Sequence, residues 1–423
     1  MLVHFQQVTL SGISPTKVTY SSSYIGEEVF NGNNQSKMDE PQLPLELLQL
    51  HAEALSISTR IIDTHNDMTD AVLKELQPFH HVGIVVDANL LPIPDVARCL
   101  EAVKEQHPVT LYTDVHENPT VHNVTTASKA FSDIDVMLVI GGGSAMDTAK
   151  IANLLAATGE TCQDFWPTHR TDRLVVPPLV VVPTTAGTGS DVQSYALISD
   201  DVTHRKMAIG HSSLAAVASL LDRNILVSCP HRVMVLAGFD ALSHALEAAV
   251  TKTATDASTT AAIQAAELLY PALQQLVHAG VTSDHVRAAL QAGSTLAGMA
   301  IERSMLGAAH GFANPLTAQF SVVHGQAVAV CLPAVIEINR QIPQANMIYL
   351  EIEARIGAKE PLTTAVRRLV KSLGLHTNLT SLGISEPDLP ELSRLALQQW
   401  TCSHNPYPVT EKNCLSIYQS VLH

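Results

Sequence analysis

The chain has 423 residues and a formal net charge of −15, with 40 acidic against 25 basic side chains. So acidic a balance disfavours DNA, RNA and anionic membranes as partners. With 46% hydrophobic and 15% charged residues, the chain can bury a substantial core and has little of the composition of a disordered protein. Its length suits two or three domains. The cysteines, Cys99, Cys162, Cys229, Cys331, Cys402 and Cys414, form no CxxC pair. In so long a chain they predict reduced thiols in a cytoplasmic protein rather than a disulfide framework. The opening MLVHFQQVTLSGISP lacks the basic and apolar regions of a secretory signal. No stretch reaches the ~18 apolar residues that span a bilayer; the closest, Leu174 to Val182, is short and interrupted by prolines.

Taken in chain order, residues 1–45 are rich in Ser, Gly, Asn and Gln (TYSSSYIG, NGNNQSK) and predict an N-terminal extension, ordered at most in part as an arm or edge strand. From 46 to 225 short β-rich runs (82–87, 109–114, 136–143 and 179–185) alternate with helical stretches such as Ile93 to Gln106. Continuous apolar strands joined by helical crossovers predict an α/β domain with a parallel sheet covered on both faces. From 226 to 423 Ala- and Leu-rich stretches dominate and strand signals nearly vanish, which predicts an all-helical second domain. A cleft between two such domains is a common place for a ligand.

Two loops follow strands. In VMLVIGGGSAMDTAK, Gly141, Gly142 and Gly143 let backbone amides approach an anion, and a helix starting near Ser144 points its positive end at the same place. The alternative is a plain tight turn with Ser144 as N-cap and Asp147 in the first helical turn. The run is neither GxGxxG nor a Walker A loop. The second loop, PTTAGTGSD at 183–191, places hydroxyls and free amides at a strand's C-terminal end, where open α/β sheets bind ligands, or is simply a polar loop. Asp87 ends another strand; there it either accepts hydrogen bonds from an adenosine ribose, favouring NAD over NADP, or caps a turn.

Asp240 and His244 in GFDALSHALEA are four apart on a helix, so they share a face, as two ligands of one ion or as a simple hydrogen-bonded pair. His310 and His324 on one straight helix would be roughly 21 Å apart at ~1.5 Å per residue, so if both bind one ion the chain must break between them. Gly311 and Pro315 are the expected break, with Gly325 after the second histidine. One carboxylate and three imidazoles suit Fe(II) or Zn(II). An open position on such an ion would act as a Lewis acid toward a substrate oxygen.

These motifs resemble the iron-containing (group III) alcohol dehydrogenases. The resemblance rests on GGGSAMDTAK (141–150), PTTAGTGSD (183–191), AGFDALSHALEA (237–248) and HGFANPLTAQFSVVHG (310–325), in that order, with weaker echoes at ENPT (117–120), HRKM (204–207) and HNPYPVT near the C-terminus, and runs from about residue 80 onward. It implies a dehydroquinate synthase-like architecture: a dinucleotide-binding α/β domain followed by a helical metal-binding domain. It implies Asp240, His244, His310 and His324 as ligands of iron or zinc. It implies Gly141, Gly142, Gly143 and Ser144, backed by Asp147 and Lys150, as the cofactor loop, and Thr184, Thr185, Thr188 and Ser190 as its second wall. Asp87 matches a position favouring NAD, and Lys206 a lysine near the cofactor. The implied reaction is hydride transfer between a small alcohol or carbonyl compound and NAD or NADP, in a homodimer or larger homo-oligomer.

The chain departs from the family at Asn314, where many members carry a histidine near the nicotinamide. Asparagine is neither acid nor base, so the substrate's proton would leave through solvent, a ligand water or His211. Asp191 stands where glutamate is common. Competing readings are a transhydrogenase that retains its cofactor, a synthase-type lyase of the same superfamily, and a non-catalytic metal- or nucleotide-binding protein.

Overall fold

The computed structural model describes residues 44–423 apart from 66, 168–169, 203–204 and 278–281. The predicted N-terminal extension therefore lies almost entirely outside the described residues. The first described element is helix α1 (Leu45–Ala54), with the buried His51 bonded to Gln264.

A six-stranded sheet follows. Its strands are β1 (Arg60–Asp63), β2 (Val82–Val86), β3 (Val109–Tyr112), β4 (Val136–Gly141), β5 (Leu179–Pro183) and β8 (Ala218–Leu221), with β6 (Tyr195–Ser199) and β7 (Lys206–Gly210) forming a separate hairpin. The order is β1-β8-β5-β4-β2-β3, and every neighbouring pair is parallel. The crossovers carry α2 (Met68–Leu76), α3 (Pro94–Gln106), α4 (Val121–Ser128), α5 (Gly143–Thr158) and the short α6 (Cys162–Phe165).

The strands at 82–87, 109–114, 136–143 and 179–185 and the helix at 93–106 form as expected. Beta-branched and apolar side chains fill both faces. Val136, Leu138 and Ile140 of β4 enter one core and Met137 and Val139 the other, and β5 splits the same way, Val180 and Val182 against Leu179 and Val181. Each such side chain, fully removed from water, contributes on the order of 1.5–3 kcal/mol. Three features were not expected: the four-residue β1 and β8 at one side of the sheet, and the antiparallel hairpin β6–β7.

After β8 the described chain is helical: α7 (His231–Ala248), α8 (Asp256–Leu276), α9 (Asp284–Ser304), α10 (Ala308–Phe320), α11 (His324–Asn339), α12 (Pro343–Arg355), α13 (Leu362–Ser372), α14 (Leu389–Leu397) and α15 (Glu411–Ser420). None of the described helices is long and apolar enough to cross a membrane. Small residues let these helices approach closely: a side chain at Gly293 of α9 would strike Leu269 Cγ of α8 at 2.6 Å.

The chain does break between His310 and His324, but not at Gly311 or Pro315. Both lie buried inside α10, and Gly311 is needed there because a Cβ would run into Cys402 Sγ. The ~3 kcal/mol that an interior proline costs is outweighed by burying this helix. The turn comes later, where Ser321 adopts the left-handed conformation (φ 55°) and ends α10, and α11 then starts on His324 itself. Both histidines thus sit in the first turn of a helix.

Candidate metal centre and cofactor cleft

The glycine turn, the second loop and Asp87 lie at the C-terminal edge of the sheet. Gly142 and Gly143 follow β4, Thr184 follows β5 and Asp87 follows β2, as ligand sites in such sheets do. Helix α5 starts at Gly143 with Gly142 as its N-cap, and no side chain caps it. Ser144 is therefore inside the helix rather than its cap; its Oγ lies 3.4 Å from the Asn118 amide. A glycine N-cap leaves the first N–H groups of α5 without a side-chain acceptor. The two loops press on each other. Thr184 N donates to Gly141 O at 3.1 Å, and a Cβ on Gly142 would come within 2.9 Å of Thr185 Oγ1. A Cβ on Gly143 would come within 2.6 Å of Thr188 Cγ2. Gly189, at φ +64°, in turn packs so tightly on Gly298 of α9 that neither tolerates a side chain. The second loop is thus clamped between α5 and the helical half.

Lys150 and Asp147 hold that clamp from behind. The fully buried Lys150 ammonium donates to Ser190 O (2.6 Å), Gln193 O (2.7 Å), Tyr195 O (2.9 Å) and Ser190 Oγ (3.0 Å). Burial pulls it down to about 8, against Asp147, Glu302 and Asp191, which pull it up. Asp147 accepts from Ser190 Oγ and Leu197 N. Neither side chain is free for a ligand. Asp191 is buried on Ser219 Oγ. Asp87 caps the turn after β2 by accepting from Asn89 N through Oδ1, which leaves Oδ2 without that task.

Asp240 and His244 lie on the buried face of α7, with Asp240 Oδ2 3.6 Å from His244 Nε2. Asp240 Oδ1 is 3.4 Å from His310 Nε2 and 3.8 Å from His324 Nε2. Ligands ~2.1 Å from one tetrahedral ion stand roughly 3.4 Å apart, so these separations are those of a shared ion. The donor atoms of Asp240, His310 and His324 all lie within 4.8 Å of one another. His244 is outside that trio but stacks on His310, ring centroids 4.9 Å apart. Asp240 Oδ1 and His310 Nε2 are buried without any hydrogen-bond partner. An orphaned acceptor facing an orphaned ring nitrogen is costly unless a cation or proton sits between them, so the donor set fits a divalent metal.

Electrostatics agree. Burial pushes the Asp240 carboxyl up, but the three histidines around it hold it far below the usual range. Burial drives His244 down to about 4 and His324 to about 3, leaving both neutral lone-pair donors. His310 alone rises, to about 9: burial lowers it, and the carboxylates of Asp240 beside it and Glu247 bonded to it more than reverse that. The side chains of Asp240, His244 and His310 are 8%, 6% and 4% exposed against 26% for His324, so the centre opens beside His324.

A cavity of about 320 Å³ is lined by Glu117, Asn118, Ser199, Lys206, Asn314 and Val323, the residue before His324, among others. Lys206 Nζ donates to Asn118 Oδ1 at 2.6 Å, and burial lowers its ammonium against the pull of Asp147, Glu117 and Asp240. Asn118, left-handed at φ 54°, links Lys206 to Ser144 and so joins the hairpin to the glycine turn. Asn314, one turn after His310, donates to Gln399 Oε1 at 3.1 Å. His211 is not brought here. It lines another cavity, with Nδ1 on Ser213 and Nε2 on Asp172 O. Sequence reasoning missed Asn118, Glu247 and Gln399; only Glu247, three residues after His244 on one helix face, carried a usable spacing signal.

Two family profiles match, Iron-containing alcohol dehydrogenase over residues 60–223 and Fe-containing alcohol dehydrogenase family, C-terminal, over 234–422. The Long-chain-alcohol dehydrogenase 1 of Geobacillus thermodenitrificans is 31% identical over 358 residues, covering 80% of this chain and 89% of that protein. The chain belongs to the iron-containing alcohol dehydrogenase family. Alcohol dehydrogenase 4 of Schizosaccharomyces pombe is 29% identical, covering 88% and 90% of the two chains. The NAD-dependent methanol dehydrogenase of Bacillus methanolicus is 29% identical, covering 73% and 81%. Among solved structures, a 1,3-propanediol oxidoreductase superposes with a TM-score of 0.78 at 27% identity, covering 86% of this chain and 97% of the other. As an iron-containing alcohol dehydrogenase, this protein is a metal-dependent oxidoreductase of alcohols and aldehydes.

Proposed function

We propose that the protein transfers hydride between a small alcohol or its carbonyl product and NAD, with Fe(II), or Zn(II) in its place, held by Asp240, His244, His310 and His324. The observation that carries this is the buried pair of unpartnered atoms, Asp240 Oδ1 and His310 Nε2, 3.4 Å apart with two further imidazoles beside them. When bound, the metal supplies Lewis acidity at the substrate oxygen and the nicotinamide carries the hydride. The N–H groups at the start of α5, at Gly142, Gly143 and Ser144, would hold the pyrophosphate, and Thr184, Thr185, Thr188 and Ser190 would wall the other side. Asp147 and Lys150 act from behind by fixing that wall. Asp87 would accept from the ribose hydroxyl and disfavour a 2′-phosphate, a preference consistent with an NAD-dependent relative.

Lys206 and Asn118 hold the cofactor side of the cavity, and Asn314, fixed by Gln399, orients the reacting end without exchanging a proton. The substrate's proton leaves to solvent past the partly exposed His324. His211, on another cavity, serves no relay. The dinucleotide-binding domain is residues 46–225 and the metal-binding domain 226–423. The assembly is a homodimer or larger homo-oligomer in the cytoplasm, and its net charge of −15 keeps it off nucleic acid.

The test is metal analysis of protein purified without chelators, with a screen of alcohols and aldehydes against NAD(H) and NADP(H). Steady NADH formation with a stoichiometric divalent metal is expected. Iron- and zinc-loaded protein that binds no nicotinamide would overturn the proposal, and exchange between two substrates without free cofactor would replace it with a transhydrogenase. His310→Ala loses metal and turnover together; full metal content with full turnover would remove His310 from the site.

A further inference from the structure

Helix α10 carries His310 in its first turn, yet its N-cap, Gly307, has no side chain to satisfy the free amides. Two distant residues do so instead. Asn405 Oδ1 accepts from Ala308 N at 3.2 Å. Glu247, on α7 and only 2% exposed, accepts from Ala309 N through Oε1 at 2.6 Å. Its other oxygen, Oε2, takes His310 N at 3.4 Å and His310 Nδ1 at 2.6 Å. Gly307 is required by this arrangement, because a Cβ there would come within 2.8 Å of Glu247 Oε1 and 3.0 Å of Asn405 Oδ1.

We propose that Glu247 is a positioning residue of the metal centre: it holds the proton of His310 on Nδ1, aims Nε2 at Asp240, and locks the register of α10 against α7. Resting on the metal-dependent reading above, the argument turns on donors and acceptors. Asp240, His244 and Glu247 lie at spacings of four and three on α7, so one helix face supplies two ligands and the carboxylate that orients a third. Three N–H groups converge on Glu247, and only a side chain with two acceptor oxygens satisfies them all. Because Oε2 accepts from Nδ1–H, the lone pair of His310 is forced onto Nε2, the atom that faces Asp240 Oδ1 without a partner. Carboxylates that fix the tautomer of a ligating histidine raise its basicity toward metal as well.

Glutamine at this position has one acceptor and one donor group. With its oxygen toward His310, its NH₂ meets the Ala309 N–H donor to donor. With the amide reversed, the NH₂ faces His310 and drives the proton to Nε2, blocking ligation. Either way the register or the tautomer is lost, although size and burial are kept.

The test measures Zn(II) affinity of the apo full-length protein by competition with a chromogenic chelator, alongside apo thermal melting. Glu247→Gln should bind zinc about 10- to 100-fold more weakly than wild type. A Gln variant that binds zinc within two-fold of wild type overturns the proposal, whatever its melting temperature, and reduces Glu247 to a helix cap. If wild type itself takes up no zinc, the metal reading fails first and this proposal with it. Should the Gln variant not fold, histidine-labelled ¹⁵N spectra of zinc-loaded wild type decide. A proton on Nδ1 of His310, with the metal on Nε2, supports the assignment, and the reverse tautomer overturns it. The signals are assigned by their loss in His310→Ala.

Discussion

Substituting Gly143 by alanine tests the packing of the two nucleotide loops on each other. Gly143 is the first residue of α5, and its new Cβ would stand 2.6 Å from Thr188 Cγ2 and 2.9 Å from Thr188 Oγ1. Carbon atoms rest ~3.5–4.0 Å apart, so the loops must separate by about 1 Å. Alanine in place of a helical glycine returns roughly 0.5–1 kcal/mol. Overpacking costs about 1–3 kcal/mol, leaving a net loss of up to ~2.5 kcal/mol. Movement of Thr188 also releases Ser190 N from Thr188 Oγ1, and with it the seat of Lys150. Since every ~1.4 kcal/mol is tenfold in affinity, NADH should bind about ten times more weakly, read by fluorescence titration. Thr188→Ser in the same chain removes the nearer offending atom, Cγ2, while keeping Oγ1 for Ser190 N, and should recover much of the loss, a coupling of ~1 kcal/mol in the double-mutant cycle. Wild-type NADH affinity in Gly143→Ala, or no recovery in the double variant, would refute the proposed interlock.

Other consequences are testable in the same protein. Asn314→His places a group titrating near ~6.5 beside the cavity, so kcat/KM should gain an inflection in that range that wild type lacks, and identical pH profiles would remove residue 314 from the reacting end. Asp87→Ser keeps a cap for the Asn89 amide but removes the charge, so the NADP/NAD ratio of kcat/KM should rise at least tenfold; an unchanged ratio would clear Asp87 of cofactor choice. Lys150→Met strands three buried carbonyl groups and should cost about 3 kcal/mol or more in denaturant unfolding, together with a higher KM for NAD, whereas a stability change below ~1 kcal/mol would contradict the clamp. Chelation should abolish turnover and lower stability by about 2.7 kcal/mol relative to protein held at 100 times the metal dissociation constant, and a melting curve indifferent to chelator would contradict a native metal.

The strands β2, β4 and β5 were legible as unbroken apolar runs because both faces of each are buried, and β3 by its β-branched start. RIID and ASLL were not, since four residues are too few to show a period, and β1 takes its place only by pairing with β8. The hairpin was hidden for another reason: YALIS and KMAIG acquire their buried face from α5 and from each other. At the site, Asp240 and His244 were readable from one helix face. The convergence of His310 and His324 was readable as a necessity, but its location was not. A glycine or proline advertises a break, whereas Ser321 turns left-handed only because the fold demands it. Asn405, Gln399 and Asn118 reach the centre across long separations that no local spacing encodes.

The contact between Asn405 and α10 also bears on how the enzyme is made. All four candidate ligands precede residue 325, but the cap on Ala308 N lies 97 positions downstream of it. As the chain emerges in order, the histidines are present before the residue that anchors their helix. Metal capture by a nascent chain would therefore act on an α10 whose start is still held only by Glu247, and the mature grip on the ion is completed when the segment around Asn405 folds back.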